Sequence, residues 1–366
     1  MRKIRVLVVD DAVVVRKIVT DSLSSDPDIE VAGIAANGRI ALQKIPQVNP
    51  DIITLDIEMP EMDGLQTLVE VRKIYPKLPI IMFSTLTERG GAKTLEALSL
   101  GATDYVTKPA NVGSVSIAMQ RVREELIPKV KYFCADKIGS KPPSNLVPEK
   151  SFAPPVTAYR APNLVSAQQR IDILAIGVST GGPNALAELL PVLPKNFPVP
   201  IVIVQHMPPY FTKLLADRLT SKSQITIHEG APGDALVAGQ GWIAPGNFHM
   251  YLEQGNSGMI IKTNQNPQEN SCRPAVDVLF RSVAKNYGPR ALAVVLTGMG
   301  QDGLLGGQHI KDAGGQIFVQ DEQSSVVWGM PGFVAKAGIA DKILPLNQMG
   351  AEIIKALKVG RSFSPA

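Results

Sequence analysis

Short apolar runs recur along the chain with helical stretches between them, and this rhythm restricts the fold more than any other feature. Five runs come first: "IRVLVVD" ending at Asp10, "EVAGIA" at Ala35, "DIITLD" at Asp56, "PIIMFS" at Ser84 and "DYVTK" at Lys108. Their apolar residues are continuous rather than alternating, as strands covered on both faces require, so the expected architecture is a parallel sheet wrapped by helices. The rhythm stops near Pro128 and restarts with "IDILAIGVS", "VPIVIVQH", "ALAVVLTG" and "GGQIFVQ". Residues 1–127 and 170–366 are therefore expected to form two α/β domains, each doubly wound. A chain of 366 residues with 45% apolar content can bury two such cores. Between the second and third strands of the later domain, "GWIAPGNFHMYLEQGNSGMIIKT" alternates around Gly-Asn-Ser-Gly, which predicts a hairpin appended to the main sheet.

Residues 128–169 hold seven prolines among scattered lysines and serines, the composition of an extended linker. Of the net charge of +4, most arises here, with six basic and two acidic residues. Basicity confined to a linker is not the footprint of a nucleic-acid reader, which sets nucleic acid aside as a partner. No stretch reaches the roughly 20 apolar residues of a membrane span, and "MRKIRVLVVD" runs from charge into strand without a signal-peptide cleavage site. A cytoplasmic protein with no direct membrane insertion is expected. The two cysteines, Cys134 and Cys272, lie too far apart in sequence to suggest a disulfide framework or a metal cluster, and both read as incidental.

In open α/β sheets, functional groups gather where strands end at their carboxyl side. Four strand ends of the first domain are polar: Asp10 with Asp11, Asp56, Ser84 with Thr85, and Lys108. Converging carboxylates repel unless a cation lies among them, and hard oxygen ligands favour Mg²⁺. A carboxylate flanked by Mg²⁺ and an ammonium group is suited to attack phosphorus. Taken singly, Asp11 and Ser84 could each be a helix cap, Lys108 plain surface charge and Tyr105 an ordinary strand aromatic. The stretches "VLVVDDAVVVRKIV", "DIITLDIEMPEMDGL", "IIMFST" and "GATDYVTKP" resemble the signatures of response-regulator receiver domains over about residues 3–125. The resemblance implies a flavodoxin-like, five-stranded fold with Asp56 as phosphoacceptor. It also implies Asp10, Asp11, Asp56 and the Glu58 carbonyl around Mg²⁺, Ser84 and Lys108 as phosphate contacts, and Tyr105 as the switch aromatic.

The second domain repeats the pattern with Ser179 after "ILAIGV", His206 after "IVIVQ" and Asp302 in "LTGMGQDG". A serine nucleophile needs a base and a carboxylate that orients the base, and these are the three types. Gly177 to Gly181 spell G-x-S-x-G between a strand and a helix, the turn that exposes a nucleophile, although Ser179 could equally be a helix N-cap. The order Ser, His, Asp differs from that of α/β-hydrolases and excludes that fold without excluding the chemistry. His228, His249 and His309 follow no buried parallel strand and default to structure; Cys272 lies outside any strand-end turn. A competing motif is G-x-G-x-x-G at Gly298, Gly300 and Gly303, with Asp321 and Glu322 about 20 residues on, as in a dinucleotide site. Against it stands Asp302, a carboxylate where a pyrophosphate would sit.

"IGVSTGGP", "VQHMP", "GWIAPGNFHM", "CRPAVDVLF" and "LTGMGQDG" are similar to the catalytic domain of chemotaxis protein-glutamate methylesterases over about residues 170–355. That resemblance implies Ser179 as nucleophile, His206 as general base and acid, Asp302 as orienting carboxylate, the Met299 N–H as oxyanion donor and Thr180 close by. It further implies a Rossmann-like second domain, methylated chemoreceptors as substrates, glutamine deamidation at the same site and a chemotaxis histidine kinase as phosphodonor. Beside it stand two other classes: a receiver-controlled binding module with a silent second domain, and an NAD-binding enzyme using residues 298–303.

Overall fold

The computed structural model describes residues 2–108, 115–137, 170–256 and 258–360. In the first domain β1 (Ile4–Val9), β2 (Ile29–Ala35), β3 (Ile52–Asp56), β4 (Ile80–Ser84) and β5 (Asp104–Thr107) pair in parallel in the order β2-β1-β3-β4-β5, the flavodoxin-like order. The strands alternate with helices α1 (Val13–Ser24), α2 (Gly38–Val48), α3 (Gly64–Ile74), α4 (Glu88–Ser99) and α5 (Val115–Phe133). Caps fix several starts: Asn37 accepts the Ile40 N–H, and Asp63 with Gln66 forms a capping box.

The expected linker does not begin at Pro128. Helix α5 runs through that proline to Phe133, and Leu126, Val130 and Cys134 are buried against Ile18, Val19 and Leu23 of α1. A proline removes one helical hydrogen bond, and the apolar face that α5 turns to the core outweighs that loss. The rest of the proposed linker, from residue 138 to 169, lies outside the described residues.

The second domain contains β6 (Ile173–Val178), β7 (Ile201–Gln205), β8 (Thr226–Glu229), β9 (Gln240–Ile243), β10 (His249–Gly255), β11 (Gly258–Asn264), β12 (Ala291–Val295), β13 (Gln316–Gln320) and β14 (Lys342–Leu344). Seven of these form one parallel sheet in the order β14-β13-β12-β6-β7-β9-β8. The expected hairpin exists as β10 and β11, but it is a separate two-stranded sheet rather than an appendage. Its Met250, Leu252 and Ile261 pack instead into the core beside α8 (Val276–Tyr287). The "GWI" at the start of that expected hairpin belongs instead to β9, paired in the main sheet. Helices α6 (Gly182–Leu189), α7 (Phe211–Lys222) and α11 (Leu346–Leu357) cover one face, while α8, α9 (Leu304–Asp312) and α10 (Met330–Lys336) cover the other.

The two domains share one continuous apolar cluster. Tyr105 of β5 stacks on Phe211 of α7, ring centroids 5.5 Å apart and 22° from parallel. Polar groups frame this contact: Asn184 Nδ2 donates to the Leu98 carbonyl at 2.8 Å and Arg218 Nη1 to that of Leu95, two carbonyls of α4. The Trp328 N–H donates to Tyr132 Oη at 3.0 Å. The receiver's β4-α4-β5 side therefore lies against α6 and α7 of its own chain.

Helices α8 and α9 touch at Gly306, where a Cβ would stand 2.7 Å from Phe280 Cβ and 2.8 Å from Asp277 Cα. Gly306→Ala is expected to separate them at a cost of about 1–3 kcal/mol, the range of overpacked cores. Thermal unfolding of the full chain should show the loss as a drop of several degrees in Tm.

Candidate active site and phosphoacceptor pocket

The chain steps from β6 to β7 on one side, then returns to lay β12 on the other side of β6, so β6 and β12 flank a topological switch point. Such a point opens a crevice at the carboxyl ends of the strands. Ser179 follows β6, Asp302 follows β12, and His206 follows β7, one strand farther along.

Ser179 occupies an elbow and not a cap. The N-cap of α6 is Gly181, whose φ of 78° gives the left-handed turn into the helix. The Ser179 hydroxyl makes no hydrogen bond among the described residues, and its N–H is held by the Thr297 carbonyl at 3.0 Å. Gly298 closes against it: a Cβ there would lie 2.8 Å from Ser179 Cβ and 2.4 Å from the Met330 sulfur. The N–H groups of Met299, which follows Gly298, and of Thr180, which follows Ser179, find no acceptor among the described residues.

His206 Nε2 lies 2.8 Å from Asp302 Oδ2. Asp302, 1% exposed, is saturated with donors. Oδ2 also accepts the Val276 N–H at 2.6 Å, and Oδ1 accepts those of Asp277 and Gly303 and the Asn270 amide, each at 3.0 Å. Burial pushes this carboxyl up, but His206 and the backbone donors more than offset it and hold its pKa below the ordinary value. Burial of His206 opposes its protonation, yet the Cys272 sulfur and the Asp302 carboxylate outweigh that and raise its pKa well above the ordinary imidazole value.

Cys272, set aside in the sequence, lies with Sγ 3.5 Å from His206 Nδ1, the ring nitrogen that Asp302 leaves free. No local pattern announces this. The loop from Asn264 to α8 brings Cys272 back to the strand ends, with Asn270 and Ser271 at φ of 51° and 61°. His249 is buried and structural: Nδ1 accepts the Ala275 N–H and Nε2 faces the Pro267 carbonyl. His228 packs on Trp242 and meets Gln240.

The glycine-rich loop 298–303 has its helix N-terminus already filled. The Gly303 N–H points to Asp302 Oδ1 and Asp277 Oδ1, and the Gly306 N–H to Asp277 Oδ1. Carboxylates of the chain occupy the place a pyrophosphate would take, so the dinucleotide reading is not favoured.

In the receiver, ligand atoms of Asp10, Asp11 and Asp56 lie within 4.8 Å of one another, and Lys108 Nζ bridges Asp10 at 2.9 Å and Asp56 at 2.7 Å. The cap readings fail here too, since α1 is preceded by Ala12 and α4 is capped by Thr87. Burial and the Asp10 charge raise the Asp56 pKa to about 6 despite Lys108. Lys108 is itself raised, because Asp56 and Asp10 outweigh its burial. Ser84 Oγ is engaged with Gly90 O at 3.1 Å and Thr94 Oγ1 at 2.7 Å, both in α4. The Glu58 side chain pairs with Lys93 and Arg89 of the same helix. The receiver also reaches the second site, for Thr180 Oγ1 donates to Asp104 Oδ2 at 3.1 Å.

A family model described as CheB methylesterase matches residues 174–353, and one described as response regulator receiver domain matches residues 6–120. A relative from Trichodesmium erythraeum, named protein-glutamate methylesterase/protein-glutamine glutaminase, is 54% identical over 98% of this chain and 100% of its own length. The chain belongs to the CheB methylesterase family. A relative of the same name from Nocardioides sp. is 50% identical over 98% of this chain and 96% of its own. The crystal structure of the Thermotoga maritima CheB methylesterase catalytic domain is 43% identical, with a TM-score of 0.50, and covers 51% of this chain and 99% of that one. This CheB-family chain thus joins a receiver to a methylesterase domain. Among the described residues no helix is long and apolar enough to cross a membrane.

The two thiols differ sharply. Burial, then the Asp51 charge, pushes Cys134 up to about 12, which leaves it unreactive, whereas Cys272 is only half buried. N-ethylmaleimide is expected to add once, at Cys272, and to abolish methyl-ester hydrolysis by crowding His206. Mass measurement of the adduct beside residual activity checks this, with Cys272→Ala remaining active and unlabelled.

Proposed function

We propose that Ser179, His206 and Asp302 carry out the hydrolysis of glutamate methyl esters on chemoreceptors. The observation that carries this reading is the His206–Asp302 pair, 2.8 Å apart at the strand ends that flank an unbonded Ser179 hydroxyl. Ser179 Oγ attacks the ester carbonyl while His206 takes its proton through Nδ1, the nitrogen that the Cys272 sulfur faces at rest and must yield to the hydroxyl, and Asp302 holds the ring and stabilises the imidazolium. The Met299 N–H, with that of Thr180, donates to the oxyanion. His206 returns the proton to the leaving methoxide, methanol departs, and a water activated by His206 resolves the acyl-enzyme. With a glutamine side chain the same steps release ammonia. Because the base must be neutral, activity rises with pH as the imidazolium, held well above the ordinary value, loses its proton.

A chemotaxis histidine kinase would phosphorylate Asp56 in the cytoplasm. The carboxylates of Asp10, Asp11 and Asp56 with the Glu58 carbonyl suit a hard cation, and among the described residues Oδ2 of Asp10 and of Asp56 meets only the Lys108 ammonium. Mg²⁺ bound there would neutralise charge on the phosphoryl oxygens. In the form described, Asp104 occupies Thr180 and the aromatic pair Tyr105–Phe211 fastens the domains, so the nucleophile turn is held by the receiver. Ser84 and Lys108 are the phosphate contacts of this reading. Ser84 is bonded to α4, so recruiting its hydroxyl to a phosphoryl group pulls on the helix whose carbonyls hold Asn184 and Arg218.

Methanol release from carboxyl-methylated receptor tests both halves. Ser179→Ala is expected to lose at least about 10³-fold in turnover. Asp56→Asn should retain basal release but gain nothing from acetyl phosphate. Asp104→Ala, which frees Thr180, is expected to raise basal release several-fold and shrink the response to acetyl phosphate.

A further inference from the structure

Behind the His206–Asp302 pair lies a second carboxylate that the reaction scheme does not use. Asp277, in the first turn of α8, is 1% exposed, and its two oxygens are bonded inward. Oδ1 accepts the N–H groups of Gly303 at 2.9 Å and Gly306 at 2.7 Å, and Oδ2 accepts Asn270 Nδ2 at 2.9 Å. The same Asn270 nitrogen donates to Asp302 Oδ1 at 3.0 Å, and the Gly303 N–H is shared by both carboxylates. One amide thus clamps two buried acids side by side, and one backbone donor is split between them.

We propose that Asp277 and Asn270 are positioning residues of the esterase, which hold Asp302 against His206 and set the basicity of that histidine. This rests on the Ser179–His206–Asp302 reading. A buried network of this kind acts as a unit because each member fixes the orientation of the next. Asp277 anchors the loop that carries Met299 and Asp302 through two N–H groups, while its negative charge beside Asp302 favours the imidazolium. Asn270 opposes that effect, since its donor stabilises both carboxylates. Among the described residues, the other charged or titratable groups around the pair are Cys272 on the loop before α8, and Arg281 one turn beyond Asp277, which is tied to Glu269 at 2.6 Å. Burial, then the Asp302 charge, raises the Asp277 pKa to about 6, as expected for two acids that share donors.

The two side chains therefore push the acid limb of the pH–rate profile in opposite directions. Asp277→Asn removes a charge and should move the limb to lower pH. Asn270→Gly, where glycine accepts the φ of 51°, removes the clamp and should move it to higher pH. Both should lower kcat by about 10–100-fold with KM little changed, the signature of lost orientation. The experiment is methanol release by the full chain across pH, read as the ratio of variant to wild type, with Ser179→Ala alongside. A residue that only supports the fold would lower the amount of active protein and leave the limb in place. Limbs that coincide with wild type in both variants, while Ser179→Ala is inactive, would overturn the proposal and leave the triad standing. An active Ser179→Ala would remove the triad and the proposal with it. If Asp277→Asn fails to fold, an upward shift in Asn270→Gly supports the proposal and an unmoved limb overturns it.

Discussion

A carboxylate buried where β12 gives way to α9 cannot be left without donors, and the way Asp302 is satisfied arranges most of the second domain. Leaving such a charge unpaired would cost about 3–5 kcal/mol. Its partners come from three places distant in sequence: His206 after β7, the first turn of α8 and the loop at Asn270. Helix α8 must therefore begin where its first N–H groups face Asp302, which places Val276 against Gly177 of β6 and draws the 264–275 loop across the strand ends. The separate hairpin follows, because β10 packs on the same helix and His249 ties it to Ala275.

The first domain is organised by the same kind of constraint, with a different resolution. Asp10 and Asp56 are buried together with the Lys108 ammonium between them, so among the described residues two like charges share one cation. What connects this pocket to the esterase is α4. On its inner side Thr94 and Gly90 hold Ser84, and at its far end the Leu95 and Leu98 carbonyls hold Arg218 and Asn184. A helix bonded at both places cannot answer one without disturbing the other, and close packing transmits such a shift rather than absorbing it.

Residues at strand ends were legible in the sequence because a parallel sheet fixes where its strands terminate. Asp10, Asp56, Ser84, Lys108, Ser179, His206 and Asp302 all follow apolar runs that the eye can bound, and the structure places each at the carboxyl edge. The misses have equally physical causes. Strands β8 and β14 are short and partly exposed, so "TIHE" and "KIL" carry no continuous apolar signal. Helix α5 outran its expected end because burial of Val130 and Cys134 outweighed a proline. Cys272, Asn270 and Asp277 reach the site through a long return of the chain, and locally Asp277 looks like any acid in a first helical turn. The interface between the domains depends on complementary surfaces, which no single stretch encodes.

The loop "TGMGQDG" shows why letters that spell a phosphate cradle need not make one. Its glycines at 300 and 303 do adopt φ of 85° and 94°, and a helix does follow, so the backbone is that of a cradle. What differs is the anion. Two carboxylates from the chain itself fill the N-terminus of α9, taking the N–H groups of Gly303 and Gly306. A helix N-terminus favours negative charge whatever its source. Here that preference holds Asp302 in place against His206, and so the feature that elsewhere binds a ligand is filled by the chain's own carboxylates.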